Sequence, residues 1–292
     1  MKMLFTALTL TFSSLALAAV WAPEDFAFGP IEQYTSKARE EILAPLEEKK
    51  NFSGLTYVPE TKSYFAIINK GDRLFEFDDS FKLKRTIKIK GFDDPEDLAF
   101  VKMTDKGPLL AISEEPGGIF LGVIGSGTEL SASSMQRITL VDEAGRSLEF
   151  HDNKGLEGIT YIPQEEKFIV VKESRPMKMW SFQLPSSTSA VQVKVKNVLP
   201  AETENNINNL ATDLSAVAYH AKLDAIVFLS DESSKIIYVD NKSKQVTKVI
   251  NLQTQLQHEG LSFSADFATT YVGSEPYYLL RINQANTTLQ TH

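Results

Sequence analysis

The sequence predicts an all-β protein, a five-bladed β-propeller with four strands in each blade. Three observations support this fold. A short motif recurs five times, each copy is followed by further strand-length apolar runs, and only Ser36 to Lys50 carries a pattern compatible with a short helix. A ring of six blades, with a divergent blade hidden in the longer second or third unit, is the alternative.

The repeated motif reads Ser or Glu, a small residue or Asp, an aliphatic residue, a small residue and an aromatic residue. Its five copies are Ser53–Tyr57, Glu96–Phe100, Glu157–Tyr161, Ser215–Tyr219 and Glu259–Phe263. Successive copies start roughly 40 to 60 residues apart, which is near the period of propeller blades. We therefore expect each motif to form the innermost strand of one blade.

Three further apolar runs follow the motif in each of the first four units, with turn residues between them. The predicted fourth strands are Thr86 to Ile89, Arg137 to Val141, Val191 to Val195 and Val246 to Ile250. The fifth unit has no obvious fourth strand, although a propeller must close its ring. Phe26 to Tyr34 and Thr287 to Leu289 are the two candidates, and the polar segment Glu202 to Asp213 is predicted to be a loop between blades.

The N-terminus has the pattern of an export signal. Lys2 precedes an apolar run from Leu4 to Leu17, and Ala16-Leu17-Ala18 fits a signal peptidase site. The run is shorter than the about 20 residues that span a bilayer. We expect residues 1–18 to be removed after Ala18, residues 19–50 to form an N-terminal segment, residues 51–292 to form the propeller, and the mature protein to be periplasmic. An uncleaved anchor at the inner membrane is the alternative.

Composition excludes several classes of function. The chain has 292 residues, no Cys and a formal charge of -8. Without Cys there is no disulfide framework, thiolate zinc site or cysteine nucleophile. The acidic balance argues against nucleic acid or anionic lipid as the main partner, since both require a basic face. We expect a monomer without a membrane span in the mature chain, whose partner is a small ligand or an envelope protein.

Four segments carry a resemblance to a known family: Ser53-Gly-Leu-Thr-Tyr, Leu156-Glu-Gly-Ile-Thr-Tyr, Glu259-Gly-Leu and Ser274-Glu275-Pro276. They resemble the SdiA-regulated β-propeller family over roughly residues 50 to 283. The resemblance implies an exported or envelope-associated protein linked to calcium-responsive behaviour, and distantly similar to phytase-like propellers. The chain departs from the family pattern at Asp97, where Gly or Ala is usual, and at Asn69-Lys70, where an acid is usual.

Carboxylates are predicted to converge at one mouth of the central channel. The motif Ser or Glu opens the innermost strand, and the turn between the second and third strands reaches the same face. The inner ring comprises Glu96, Glu157 and Glu259 with Ser53 and Ser215, and the outer ring comprises Glu115, Glu173, Glu232 and Glu275. Converging carboxylates repel each other and are costly to desolvate. Calcium fits them, because it takes several oxygen ligands at flexible geometry.

Three other arrangements would also offset the repulsion. The carboxyls could share protons, they could pair with Lys70, Lys172 and Arg175 in the same turns, or they could accept backbone N–H groups and simply fasten the blades. His258, beside Glu259, is a further candidate ligand residue. The possible arrangements of the mouth correspond to three functions. The protein is a binding module for calcium or a small ligand, a calcium-dependent phosphoesterase in which Lys70, Lys172 and Arg175 hold phosphate, or an envelope scaffold without catalysis.

Overall fold

The structure of the protein is a computed structural model. This structure describes residues 32–36, 39–42, 52–68, 72–151, 154–174, 176–187, 189–283 and 287–289. The predicted signal peptide lies outside these residues. The single α-helix in the described part of the chain has 10 residues, so it is too short to span a bilayer.

The described chain forms twenty-four strands and one helix. In chain order the strands are β1 (Glu32–Ser36), β2 (Arg39–Ile42), β3 (Phe52–Val58), β4 (Ser63–Ile68), β5 (Arg73–Asp78), β6 (Leu83–Lys90), β7 (Pro95–Thr104), β8 (Gly107–Glu114), β9 (Gly118–Val123), β10 (Glu129–Ser131), β11 (Gln136–Val141), β12 (Leu156–Ile162), β13 (Lys167–Lys172), β14 (Lys178–Gln183), β15 (Val191–Lys194), β16 (Lys196–Asn197), β17 (Ala216–His220), β18 (Ala225–Ser230), β19 (Lys235–Asp240), β20 (Val246–Leu252), β21 (Gln257–Phe263), β22 (Thr269–Glu275), β23 (Tyr278–Asn283) and β24 (Thr287–Leu289). The helix is α1 (Ala201–Leu210), and short 3-10 turns lie at Ala132–Ser134 and Pro163–Glu165.

These strands form five antiparallel sheets in a ring, which confirms the five-bladed propeller and excludes the six-bladed alternative. From the channel outward the blades are β3-β4-β5-β6, β7-β8-β9-β11, β12-β13-β14-β16, β17-β18-β19-β20 and β21-β22-β23-β2. The innermost strands follow one another around the channel, and β21 contacts β3 to close the ring. Each innermost strand carries one copy of the motif, as the sequence predicted.

One hydrophobic cluster fills each of the five interfaces between neighbouring blades. The aliphatic residue of each motif lies in a different cluster. These residues are Leu55, Leu98, Ile159, Val217 and Leu261, and each is at most 3% exposed. Burying one such side chain contributes about 1.5–3 kcal/mol. The motif therefore recurs because every blade must supply one apolar contact to the next blade.

The outer edges of three blades are covered by strands from elsewhere in the chain. β10 pairs in parallel with β6, β15 with β11, and β1 with β20. β24 then adds to β1, so the fourth blade has six strands. This coverage matters because an unpaired edge is a template for association with another chain.

Two predictions of fourth strands were wrong. Val191–Lys194 pairs with the second blade, and only Lys196–Asn197 pairs with β14 of the third blade. The fifth blade is completed by Arg39–Ile42, which pairs with β23, and by neither of the two predicted segments. Arg39–Ile42 lies within the stretch whose periodicity suggested a helix. In both cases the partner strand is distant in sequence, so the local pattern does not identify it.

The segment from Glu202 to Asp213 was predicted to be a loop, but α1 occupies most of it. Ile207 and Leu210 are buried in the cluster between the third and fourth blades. They lie three residues apart and so share one face of the helix. The Asn-rich sequence has low helix propensity, and this packing outweighs it.

Candidate functional site

A cavity of about 340 Å³ opens where the five innermost strands begin. Its walls hold ten carboxylates and, among the residues that the structure describes, one cation, Lys154. The acids are Asp94, Glu96, Glu115, Glu157, Glu173, Asp213, Asp231, Glu232, Glu259 and Glu275. Phe52, Ser53, Ser215 and Gln257 complete the lining. We call this region the acidic mouth. It brings together both of the acid rings that the sequence predicted.

A break in strand register directs the motif acids into the mouth. The pairing of the first two strands shifts at Ser53, Glu96, Glu157 and Glu259, each of which is skipped between two paired neighbours. A bulge of this kind re-aims the side chain of the extra residue. The following residue is Gly in three of these four blades, because the inner strands approach closely there, and Asp97 is the exception. A Cβ added to Gly158 would lie 2.7 Å from the backbone nitrogen of Val217.

Three carboxylates at the mouth lie close enough to share one cation. Asp94, Glu96 and Glu115 each offer one oxygen, and these oxygens all lie within 4.8 Å of one another. The backbone N–H of Glu115 donates to the carbonyl of Asp94 at 2.9 Å, so the turn and the strand entry are fixed to each other. Calcium binds oxygens at about 2.3–2.6 Å, which allows two ligands of one ion to be about 5 Å apart.

Burial and mutual repulsion shift the titration of the mouth. Burial, reinforced by the neighbouring charges of Glu96 and Glu259, raises the pKa of Glu157 well above its ordinary value. Burial and the charge of Asp231 do the same to the pKa of Glu259. For Glu115, burial and a hydrogen bond with the Asp94 carboxyl raise the pKa. Without a bound cation, the mouth therefore retains protons to reduce its charge.

Other acids of the mouth already have structural partners. Glu173 pairs with Lys154 at 2.5 Å. Asp213 accepts the Ser230 hydroxyl and the backbone N–H groups of Asp231 and Glu232, at 3.1 and 3.2 Å for the two amides. Each of these contacts lies within a single blade, so it fixes the entry of that blade and does not join neighbouring blades.

One contact connects the acidic turn of the fourth blade to the fifth blade, and another connects it to the segment that enters the fourth blade. Asp231 accepts the backbone N–H of His258 from the fifth blade at 2.6 Å. Glu232 accepts the Thr212 hydroxyl at 2.8 Å. The fourth-blade side of the mouth is thus held by hydrogen bonds, whereas the clustered carboxylates lie on the second-blade side.

Ser215 presents a hydroxyl to the mouth without a hydrogen-bond partner. The residue is 4% exposed, it lines the cavity, and its Oγ has no partner among the described residues. A buried hydroxyl without a hydrogen bond costs about 1–3 kcal/mol. An oxygen in this state is a ready ligand for a cation that enters the mouth.

All seven predicted acids and both predicted serines line the mouth, but two predicted ligand residues do not. The Nζ of Lys172 donates to the Ser174 carbonyl and lies 5.4 Å from the Phe150 ring centroid. The His258 side chain is fully buried, with Nδ1 3.0 Å from Ser274 Oγ. Burial lowers the pKa of His258 to about 4, so it is neutral at neutral pH. Lys70 and Arg175 lie outside the described residues.

Besides Phe52, sequence reasoning missed five polar or charged residues of the mouth. They are Asp94, Lys154, Asp213, Asp231 and Gln257. Asp94 and Asp231 stand close to predicted acids in sequence, at Asp93-Asp94-Pro95-Glu96 and Asp231-Glu232, and that proximity was an available signal. Asp213 and Gln257 stand two residues before their motifs, as Asp94 does, so this shared position was a second signal, whereas Lys154 stands at no repeated position.

Comparisons with known proteins place the chain in a broad structural group. A family model described as SdiA-regulated matches residues 31–283. A luciferin-regenerating enzyme is similar in structure, with a TM-score of 0.53 and 10% identity over 87% of this chain and 98% of that chain. Regucalcin from Agrobacterium tumefaciens, described as a calcium-binding protein, has a TM-score of 0.50 and 11% identity. That match covers 90% of this chain and 100% of the regucalcin chain. Glutaminyl cyclase from Myxococcus xanthus gives the same four values. At these identities the structures support the fold alone.

Proposed function

The chain belongs to the SdiA-regulated family, and we propose that it is an exported β-propeller that binds calcium at its acidic mouth. The observation that carries this proposal is the cluster of Asp94, Glu96 and Glu115, whose oxygens lie within 4.8 Å of one another. Independently of that cluster, the Ser215 hydroxyl in the same cavity has no partner among the described residues and is available to a ligand.

The donor set suits a hard divalent cation. Every candidate ligand is a carboxylate or hydroxyl oxygen, which calcium prefers and soft metals do not. Asp94, Glu96 and Glu115 would hold the ion, which would neutralise charge that the protein otherwise offsets by protonation. Magnesium requires tighter octahedral geometry than this wide mouth provides. Calcium binding at the mouth is compatible with the similarity in fold to regucalcin, which is described as a calcium-binding protein.

A binding role is better supported than phosphoester hydrolysis. A phosphate ester needs cationic side chains around it. Among the described residues of the mouth the cation is Lys154, and its ammonium is already paired with Glu173. Ten carboxylates beside that single cation favour cations over anionic substrates.

Calorimetric titration of calcium into chelator-treated protein tests the proposal. We expect saturable binding, which Glu115→Gln weakens at least about tenfold, or about 1.4 kcal/mol, because one of three clustered charges is lost. Glu143→Gln is the matched control, since Glu143 is an exposed acid outside the mouth, and it should bind as the wild type does. Absence of heat together with a melting temperature unaffected by calcium would contradict the proposal.

Export is a separate part of the proposal and has its own test. The basic start, the apolar run and Ala16-Leu17-Ala18 support cleavage after Ala18. Mass spectrometry of protein recovered from a periplasmic fraction should find an N-terminus at Ala19. Recovery of the intact N-terminus from the membrane fraction would favour the uncleaved anchor instead. A part in calcium-responsive envelope physiology, as the family resemblance implies, depends on both results.

A further inference from the structure

A second cavity lies at the opposite end of the channel from the acidic mouth. It is lined by the last residues of the five motifs: Tyr57, Phe100, Tyr161, Tyr219 and Phe263. Four residues of a strand span about 13 Å, so this end is separated from the first motif position by that distance. The cavity has a volume of about 190 Å³, and no Lys, Arg, Asp or Glu lines it within the described chain. We call it the aromatic end.

Hydrogen bonds between blades fix the backbone that carries two of the aromatic residues. The Thr56 hydroxyl accepts the backbone N–H of Phe100 at 3.3 Å, and the Thr160 hydroxyl accepts that of Tyr219 at 3.0 Å. Each bond connects one innermost strand to another, so the backbone at Phe100 and at Tyr219 is fixed by a neighbouring blade. A preorganised pocket binds more tightly because little conformational entropy is lost on binding.

Carboxylates stand behind three of the tyrosines. The Tyr219 hydroxyl donates to Asp224 Oδ1 at 2.8 Å. Burial and the charge of Asp79 raise the pKa of Tyr57, and burial and the charge of Glu166 raise the pKa of Tyr161. Asp224 therefore adds negative charge at the Tyr219 hydroxyl, and the ring faces themselves carry negative potential.

We propose that the aromatic end binds a small organic cation, namely a protonated amine or quaternary ammonium group on a short apolar chain. Several aromatic faces around one cavity attract such a cation and exclude water from it. The apolar lining accepts the carbon chain, and the carboxylates behind the tyrosines favour positive over neutral or negative ligands. A metal ion is not expected there, because the cavity walls offer it no carboxylate.

Choline and its neutral isostere 3,3-dimethylbutan-1-ol form a matched pair of probes, because they differ mainly in the central charge. We expect choline to bind in a calorimetric titration and the alcohol to bind at least about tenfold more weakly. Equal affinities would show an apolar pocket without cation preference, and absence of binding by both would also overturn the proposal.

Phe100→Leu removes one aromatic face and keeps an apolar side chain. It should weaken choline binding by about three- to tenfold. Phe92→Leu is the control and should not weaken binding. Phe92 is half-buried, precedes β7 and packs on Phe120 outside the cavity. Loss of binding in Phe92→Leu as large as in Phe100→Leu would contradict the assignment.

One measurement on the wild type makes the test independent of variants that fold poorly. Choline should shift the NMR signals of labelled tyrosine rings at Tyr57, Tyr161 and Tyr219, with calcium present at saturation. Displacement of choline by calcium would place the organic cation in the acidic mouth and overturn the proposal. This result is distinguishable from failure of the calcium site, which is measured by calcium titration alone.

Discussion

The two ends of the channel are made from the same five-residue motif, yet they have opposite chemistry. The first motif position supplies Glu96, Glu157 and Glu259 to the acidic mouth, and the fifth supplies rings to the aromatic end. At the mouth, convergence of like charges is unfavourable without a cation or protons. At the aromatic end, convergence of apolar rings needs no such compensation. A propeller can thus offer two unlike sites while repeating one local sequence.

The second position of each motif lies between the two ends, where the innermost strands approach closely. We call this level the waist. It is formed by the small residues Gly54, Gly158, Ala216 and Gly260, and Asp97 is the exception. Asp97 is 2% exposed, and its carboxylate accepts the backbone N–H of Leu98 at 2.8 Å and that of Ile159, in the next blade, at 2.9 Å. It also lies directly against the position where Gly54 would carry a Cβ. The departure from the family pattern noted in the sequence is therefore a fastening between the first three blades.

Asp97→Ala is expected to have the largest effect, because it disturbs the waist and with it both ends. Two buried N–H groups would lose their acceptor, which costs about 2–5 kcal/mol of unfolding free energy in total. Chemical denaturation measures the loss. Asp97→Asn keeps one acceptor oxygen and should cost less. An unchanged denaturation midpoint in Asp97→Ala would show that the carboxylate does not join the blades.

Gly54→Ala tests the close approach at the waist by adding a single methyl group. Its Cβ would lie 2.5 Å from Asp97 Oδ1 and 2.6 Å from Asp97 Cα. Overpacking of this kind costs about 1–3 kcal/mol. Gly127→Ala is the matched control, since no atom lies within 4 Å of its added Cβ, and it should change stability by less than about 0.5 kcal/mol. Equal melting temperatures for the two variants would argue against a tight waist.

A pH series separates the acidic mouth from the rest of the molecule. The folded pKa of Glu157 is raised, so above its ordinary value of 4.5 the folded chain holds a proton that the unfolded chain releases. In chelator, the wild type should therefore lose stability relative to Glu157→Gln as pH rises, by up to about 1.4 kcal/mol per pH unit. Denaturation at pH 5 to 8, roughly the span of usual stability maxima, measures the difference. A difference that grows in favour of the wild type would reverse the assigned sign.

Ser215→Ala is expected to have the smallest effect on stability, and its effect on calcium affinity tests whether the Ser215 hydroxyl is a calcium ligand. Without calcium, removing an unpartnered hydroxyl should leave the unfolding free energy unchanged or raise it by less than about 1 kcal/mol. Calcium affinity should nevertheless fall by about three- to tenfold. Ser113→Ala is the contrasting control, because the Ser113 hydroxyl contacts the backbone nitrogen and oxygen of Asp97 and its loss should destabilise the chain. A stability loss in Ser215→Ala without calcium would mean that its hydroxyl has a structural partner.

Most of the fold was predictable because a blade is a local unit. The motif, the following runs and their turns are contiguous in sequence, and each blade repeats them. The exceptions are strands that leave their own unit, as Val191–Lys194 and Arg39–Ile42 do. Their β pattern is compatible with several partners, and only the spaces left at the blade edges select one.

The residue types of the mouth were also predictable. Which acids cluster and which accept backbone hydrogen bonds was not. The repeat identified Glu96 and Glu115 as mouth residues, but it could not show that Asp94 forms one cluster with them whereas Asp213 accepts backbone N–H groups. Lys172 and His258 follow the same repeat, and their side chains point elsewhere. The direction of a side chain depends on bulges and on neighbouring blades, which the repeat does not encode.

The sequence by itself indicated five blades, with six as the alternative, together with the innermost strands, the acidic character of one channel end and a resemblance to the family. It did so because these features depend on alternation, spacing and charge within short segments. The tertiary structure decided which carboxylates lie within reach of one cation, which hydroxyl remains without a partner, and that aromatic residues from five distant motifs line one cavity. These features depend on distances between segments far apart in the chain, and ring closure sets those distances.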